Sequence, residues 1–255
     1  MTSPLSLDGK VAVITGAGSG VGKAMAELFA KEGSTVVVVD VVASRVNQVV
    51  TELCHSPRRP VGIVRDLSLK SVPEALVDEV VKSQGRIDIL CNNAGIMDAV
   101  KPVTETDDEL WDRVMNTNLT APFRISRRAL PIMMEHGGGV ILNTASVAGL
   151  FGGRAGAAYT VSKHGLIGLT RSIAASYGGK GIRCNAMVLG AVNTAIGLGG
   201  EPSAVGFEIL KKTMATMPRI ADPVEIAKLA LFLASDNASF VNGACFTIDA
   251  GWTVY

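Results

Sequence analysis

The stretch Val11-Ala12-Val13-Ile14-Thr15-Gly16-Ala17-Gly18-Ser19-Gly20-Val21-Gly22 decides the fold. Its apolar, largely β-branched start reads as a buried strand, and the glycines that follow read as a tight turn into a helix over Val21–Lys31. The common G-x-G-x-x-G register fails, since residue 21 is Val and residue 23 is Lys. Glycine at 16, 20 and 22 fits instead. Such a turn lets backbone N–H groups approach a pyrophosphate at the positive end of the next helix. A plain strand-to-helix turn gives similar strings, so the rest of the chain has to decide.

Outward from this turn, apolar runs alternate with segments of helical period. Strands are predicted at Val11–Thr15, Thr35–Asp40, Val61–Asp66, Ile87–Asn92, Gly139–Ala145, Ile182–Met187 and Ala244–Ile248. Helices are predicted near Val21–Lys31, Ala43–Leu53, Val72–Gln84, Asp107–Glu135, Ala155–Tyr177 and Pro223–Leu233. The continuous apolar character of the strands implies burial on both faces, and the alternation implies a doubly wound α/β domain with helices on both sides of a parallel sheet. No linker, composition shift or repeat divides the chain, so one domain over residues 1–255 is the simplest account. Gly190–Met217, rich in glycine around a short helical stretch, interrupts the rhythm. An insertion at a strand's carboxyl end is a candidate substrate lid, and a surface excursion without a role is the alternative.

Composition narrows the class. The 255 residues are 48% apolar and 18% charged, which excludes a disordered or fibrous chain. A net charge of +1 leaves no field to hold nucleic acid or an anionic membrane surface. No run reaches the roughly 18 apolar residues of a membrane span. Met1–Lys10 lacks a cationic segment leading into an apolar one, and the expected setting is cytoplasmic. Cys54, Cys91, Cys184 and Cys245 are spaced for neither metal binding nor a redox pair, so reduced, mostly buried thiols and no metal site are expected.

Asp40 ends the second predicted strand, eighteen residues beyond Gly22, where a carboxylate can accept hydrogen bonds from both adenosine ribose hydroxyls and repel a 2′-phosphate. Neither Ser19 nor Val41 offers a cation for that phosphate, so NAD is favoured over NADP. Two alternatives stand beside this reading: Asp40 as a cap for the helix from Ala43, and Arg45 pairing with Asp40. Asp66 ends the third strand, with Leu67 after it, in a position to accept from the adenine amino group.

At the other end, Asn92-Asn93-Ala94-Gly95 offers small and amide-bearing residues where backbone approaches a ligand, although an Asn-rich turn reads the same way. Ser146 closes the fifth strand, and Tyr159 and Lys163 share one helix face at i, i+4. Tyr and Lys at that spacing are common by chance. A serine thirteen residues before the Tyr makes the pattern specific.

With these motifs the chain resembles the classical short-chain dehydrogenases/reductases along nearly its whole length. The resemblance rests on Thr15 to Gly22, Asp66, Asn92 to Gly95, Asn118 within Met115-Asn116-Thr117-Asn118-Leu119, Ser146, Tyr159 with Lys163, and Val192-Asn193-Thr194. It implies a seven-stranded Rossmann sheet, a nicotinamide cofactor, a homotetramer and a catalytic tetrad, here Asn118, Ser146, Tyr159 and Lys163. The family's Pro-Gly after the sixth strand is replaced by Leu189-Gly190. The implied cofactor contacts are Gly16, Ser19, Gly20, Val21, Gly22, Asp40, Asp66, Leu67, Asn93, Ala94, Gly95, Tyr159, Lys163, Gly190, Val192 and Thr194.

Residue chemistry supplies the roles. Lys163 is expected to favour the phenolate of Tyr159, the general acid/base, while Ser146 holds the substrate oxygen. Family role assigns Asn118 a water linking Lys163 to solvent. Ser146, Val147, Phe151, Leu189 and Ile196, with Met97 and Leu198 nearby, form the expected substrate pocket, whose apolar members favour a neutral secondary alcohol or ketone. Arg154 is the cation that could change that reading. A 3-oxoacyl-thioester reductase is the alternative within the class, and a nucleotide-sensing protein without catalysis the alternative outside it. His55, His136 and His164 read as solvated or helix-end residues. The stripe Arg124, Arg127 and Arg128 reads as a solvated or subunit-facing surface, or a dock for an acidic carrier protein. Small residues on Ala155–Tyr177 and the apolar end Phe246 to Tyr255 fit the implied tetramer.

Overall fold

A computed structural model describes residues 5–254. The first four residues of the Met1–Lys10 segment and Tyr255 of the apolar end lie outside them.

Seven strands, β1 Val11–Thr15, β2 Thr35–Asp40, β3 Val61–Val64, β4 Ile89–Asn92, β5 Gly139–Ser146, β6 Ile182–Leu189 and β7 Cys245–Ile248, form one sheet in the order β3-β2-β1-β4-β5-β6-β7. Every neighbouring pair is parallel. The helices are α1 Gly20–Lys31, α2 Ala43–Glu52, α3 Val72–Gln84, α4 Asp108–Met115, α5 Ala121–Glu135, α6 Ala157–Tyr177, α7 Ala204–Met214 and α8 Pro223–Ala234.

The two-residue period of a strand explains the unbroken apolar runs. Ala12 and Ile14 of β1 face one core, where Phe29 of α1, Val46 of α2 and Ile226 of α8 pack. Val11 and Val13 face the other, against Leu76 of α3, Ile125 and Met133 of α5 and Ile173 of α6. All five residues of β1 are buried, as a central parallel strand requires.

One predicted element needs correction. The single helix over Asp107–Glu135 is α4 and α5 joined by a π-helical turn, Asn116–Thr120. Pro122 has no N–H to return to the carbonyl four residues back, so the α register is weakened where the π turn meets α5, whereas α5 carries Pro131 within its α register. The wider turn packs Leu119 against α6, where a Cβ on Gly165 would stand 2.6 Å from Leu119 Cδ2. Asn118, within the turn, is buried. Smaller shifts occur at strand ends. β3 stops at Val64 because Asp66 turns the chain, its Oδ1 accepting from the backbone N and Oγ of Ser68 at 2.9 and 2.7 Å. β6 runs on to Leu189, two residues past the expected end.

The basic stripe is largely paired within the chain. Arg127 meets Glu74 and Arg128 meets Asp78 on α3, while Arg124 donates to the carbonyl of Lys70 at 3.0 Å.

Candidate active site

A cleft of about 720 Å³ opens at the carboxyl ends of β1, β2, β4, β5 and β6. It straddles the point between β1 and β4 where the sheet order reverses, the usual ligand crevice of open α/β sheets. Gly16, Ser19, Gly20, Val21, Asp40, Asp66, Leu67, Asn93, Ala94, Gly95, Ser146, Val147, Tyr159, Lys163, Leu189, Gly190, Val192, Thr194 and Ile196 all line it.

The cofactor end is built by backbone packing. Gly16 adopts φ +65°, and a Cβ there would sit 2.9 Å from Ala94 Cα. Thr15 ties the same place together: its Oγ1 donates to the Cys91 carbonyl at 3.2 Å and accepts from the N–H groups of Asn93 and Ala94, both at 3.0 Å. The Asn93 amide donates to the carbonyls of Thr15 and Gly16 and accepts from Thr144 Oγ1. At the start of α1 the N-cap Ser19 makes no side-chain capping bond, so no side chain of that residue competes for the helix's first N–H groups. A glycine-rich turn beside a helix start with no side-chain cap suits a dinucleotide pyrophosphate.

Asp40 lines this end. Its Oδ2 accepts from Gly18 N and its Oδ1 from Val42 N, both at 3.0 Å. Val42, not Asp40, is the N-cap of α2, and no ion pair joins Asp40 to Arg45 among the described residues. Gly18 is pinned between them: a Cβ would stand 2.8 Å from both Asp40 Cγ and Arg45 Cβ.

At the chemical end, Ser146 finishes β5 and Tyr159 and Lys163 project from the first turns of α6. Lys163 Nζ donates to the Thr144 carbonyl at 2.8 Å and lies 5.4 Å from the centroid of the Tyr159 ring. Burial draws its ammonium down to about 8. The expected lowering of the phenol by Lys163 is not what governs here. Burial pushes Tyr159 up to about 12, the Ser146 hydroxyl opposes this by hydrogen bonding, and the Asp98 carboxylate adds to it.

Asn118 stands behind the cleft and does not line it. Its Oδ1 accepts from Ile96 N and its Nδ2 donates to the Ile96 carbonyl, both at 2.9 Å, and to Ser162 Oγ at 3.2 Å. A Cβ on Gly95 would lie 3.4 Å from Asn118 Oδ1 and 3.5 Å from Lys163 Nζ, so the missing side chain keeps a gap between those polar groups.

A family model described as enoyl-(acyl carrier protein) reductase matches residues 16–253. The 3beta-hydroxysteroid dehydrogenase 2 of Eggerthella lenta is 41% identical over 98% of this chain and 96% of its own length. The chain belongs to the classical short-chain dehydrogenase/reductase family. A 3-oxoacyl-[acyl-carrier-protein] reductase of Thermotoga maritima is 35% identical over 98% of this chain and all of its own. A solved structure from Beutenbergia cavernae, described as an NAD(P)-dependent gluconate 5-dehydrogenase with NADP bound, superposes with a TM-score of 0.89 at 36% identity. It covers 99% of this chain and all of its own. As a short-chain dehydrogenase/reductase the chain is an oxidoreductase acting on CH–OH groups, in a family that uses nicotinamide cofactors.

Two expected contacts of this dehydrogenase/reductase are corrected. Gly22 does not line the cleft: a Cβ on it would stand 2.2 Å from the Gly16 carbonyl oxygen, so it serves the approach of α1 to the turn. Phe151 is 43% exposed and also lies outside the lining, because the short turn Val147–Gly149 carries the chain away from the cleft before it. Several lining residues escaped the sequence reading. Arg113 comes from α4, Leu210 and Met214 from α7, and Met217 and Trp252 from farther along the chain. Arg154 stacks on Trp252, 4.3 Å from the ring centroid to its guanidinium carbon, and both side chains donate to the Thr213 carbonyl, at 3.0 and 2.7 Å. No local pattern announces this cluster, since its members are 39 and 59 residues apart.

Among the described residues no helix is long and apolar enough to cross a membrane.

Proposed function

We propose that the protein interconverts a secondary alcohol and a ketone with NAD, which it prefers over NADP, through Asn118, Ser146, Tyr159 and Lys163. The observation that carries the reading is one cleft lined by Ser146, a buried Tyr159 and Lys163, whose Nζ lies 5.4 Å from the Tyr159 ring centroid, together with the glycine turn. Gly16, Ser19, Gly20 and Val21 would hold the pyrophosphate, Asp40 the adenosine ribose, Asp66 and Leu67 the adenine, and Asn93 to Gly95, Gly190, Val192 and Thr194 the nicotinamide half. When bound, the nicotinamide ring accepts or supplies the hydride.

The chain's own residues manage the proton and the oxygen. Ser146 donates to the substrate oxygen and stabilises alkoxide-like charge. Tyr159 Oη takes the hydroxyl proton in oxidation and returns it in reduction. Lys163, held by Thr144, binds the nicotinamide ribose. The gap beside Gly95, between Asn118 Oδ1 and Lys163 Nζ, is of a kind to admit a water connecting the lysine outward.

Val147, Leu189, Ile196, Leu198, Leu210 and Met214 make the substrate end predominantly apolar and favour a neutral, hydrophobic alcohol. Segment 190–217 acts as its lid. One domain spans residues 1–255, and a cytoplasmic homotetramer completes the reading. A 3-oxoacyl-thioester reductase is the second reading, supported by the Thermotoga maritima relative and by the cations Arg113 and Arg154 on the cleft wall. The filled tetrad disfavours a purely nucleotide-sensing role.

Absorbance of the reduced nicotinamide, followed with both cofactors against alcohols, sugars, hydroxysteroids and acyl thioesters, tests the proposal. NAD-linked oxidation of a neutral cyclic alcohol supports it. NADPH-linked reduction confined to acyl thioesters would replace it with the second reading.

A further inference from the structure

A buried carboxylate lies against the first turn of α6 with no basic side chain as ion-pair partner among the described residues. Asp98 has no measurable exposure. Its Oδ1 accepts from Val100 N at 3.2 Å and Gly156 N at 3.1 Å, and its Oδ2 accepts from Tyr159 N at 2.8 Å. Burial lifts its carboxyl above the usual range, and the backbone N–H donors pull it back.

Gly156 is the N-cap of α6 and Tyr159 is the third residue of the helix. An N-cap side chain ordinarily accepts from that third N–H, and a glycine has none to offer. Asp98 fills that place from another part of the chain, with a negative charge at the positive end of the helix. The helix terminus it holds is the one that carries the phenol.

The same residue opens a strained bend. Ala99 and Val100 adopt φ +54° and +50°, a left-handed conformation that is unusual above all for a β-branched residue. The bend is gripped from both sides. On the α6 side, Ala157 N donates to the Lys101 carbonyl at 2.9 Å. On the other, Ala99 N donates to the Leu198 carbonyl at 2.6 Å and Ser203 N donates to the Ala99 carbonyl at 3.0 Å. Gly206 and Gly199 press on the bend so closely that a Cβ would stand 1.7 Å from Val100 O and 2.3 Å from Met97 O. Leu198 lines the substrate end of the cleft and Ser203 caps α7, which supplies more of that wall.

We propose that Asp98 is a positioning residue: through the bend Asp98–Lys101 it fixes Tyr159 at the start of α6 to the segment 198–206, so that the substrate wall and the phenol are placed as one unit. The inference rests on Tyr159 being the proton-transfer group. It adds a determinant that touches neither substrate nor cofactor.

Hydrogen–deuterium exchange on the full-length protein, NADH fluorescence titration and turnover of the alcohol oxidised fastest in the panel test it together, in Asp98→Ala, Asp98→Asn and Tyr159→Phe. In Asp98→Ala, exchange should rise by about tenfold or more at residues 156–163 and 198–206 together, with α1 unchanged. Turnover should fall about tenfold while NADH affinity stays within about twofold. Asp98→Asn keeps one accepting oxygen and should fall between. Loosening of only one of the two segments, or of neither, overturns the proposal, as does a loss of NADH affinity in step with turnover.

If Asp98→Ala does not fold, Gly156→Ala replaces it. Its methyl would stand 2.5 Å from Asp98 Oδ2 and equally close to the backbone N and O of Lys101, so with the carboxylate intact it should part α6 from both Asp98 and the bend, loosening the same pair of segments. A fully active Tyr159→Phe would sink the assignment of Tyr159 and leave the exchange result standing on its own. An inactive Tyr159→Phe beside an unaltered Asp98→Ala sinks this inference alone. Should no alcohol in the panel be oxidised, the exchange measurement decides.

Discussion

The two ends of the cleft are built by different means. At the cofactor end, glycines and the small Thr15 let main chain pack on main chain: Gly16 on Ala94, Gly22 on the Gly16 carbonyl, Asn93 across the ends of β1 and β5. At the substrate end, side chains from α4, α6, α7 and the region of Trp252 meet, and several apolar ones remain part-exposed, among them Ile196 and Met214. Backbone geometry tolerates almost no substitution, whereas a wall of flexible side chains can be re-lined without moving the fold. A cleft so divided keeps its cofactor chemistry while its substrate changes.

The sharpest way to break that division is at its seam. Tyr159→Phe removes only the hydroxyl, so turnover should fall by about 100-fold or more with NADH affinity nearly unchanged. Steady-state kinetics beside a fluorescence titration checks this. Activity retained in the Phe variant would mean that the proton moves through another group.

Lys163 joins both ends, and its burial gives a second test. Its pKa is drawn from 10.5 to about 8, so the charged form is disfavoured in the folded protein. The sign follows from proton binding: between pH 8 and 10.5 the unfolded chain holds a proton that the folded one has released, so stability gains with rising pH in that window. The full effect is on the order of 3 kcal/mol. Lys163→Met lacks this dependence. Denaturant melts of the cofactor-free proteins should show the parent gaining on the Met variant as pH rises through the window, after allowance for Tyr159, which acts in the opposite sense above pH 10. Parallel curves would show that the ammonium is already well solvated.

How much of this could be read from the sequence follows the same division. The glycine turn, Asp40 and the Tyr159–Lys163 pair are local patterns whose spacing alone fixes a shared turn or helix face, and the structure brings them into one cleft. Three things were out of reach for physical reasons. The anchor of Lys163 is a backbone carbonyl, that of Thr144, which no side chain announces. The π turn around Asn118 depends on how Leu119 meets Gly165 on another helix, which the helical period over Asp107–Glu135 does not carry. Asp98 follows the Asn-Ala-Gly motif closely, but its partners Gly156 and Tyr159 lie 58 and 61 residues away, and only the fold makes it their acceptor.

Asp40 tests how far the cofactor end depends on a side chain at all. Its carboxylate accepts from Gly18 and Val42, so Asp40→Ala should loosen the turn and weaken both nucleotides somewhat. The informative quantity is the ratio of the two affinities. If Asp40 holds the ribose as proposed, losing those hydrogen bonds and the repulsion of a 2′-phosphate should shift the ratio toward NADP by roughly tenfold or more. Titrations of both nucleotides measure it, and an unchanged ratio would make Asp40 a loop brace only.

The smallest effect is expected where the wall is softest. Met214 closes α7, lines the cleft beside Leu210, and is 41% exposed, so truncation removes only part of a side chain's apolar contact. Met214→Ala should raise KM for an apolar alcohol by about two- to fivefold, leave kcat within about twofold, and leave NADH affinity unmoved. The variant should also widen the cleft, so a bulkier alcohol should lose less than a small one. Comparing KM for a small and a bulky member of one alcohol series in parent and variant reads this directly. Equal losses for both would mean that Met214 acts through the seating of α7, tying the substrate wall to the fold as firmly as the glycine turn is tied, and the contrast between the two ends would not hold.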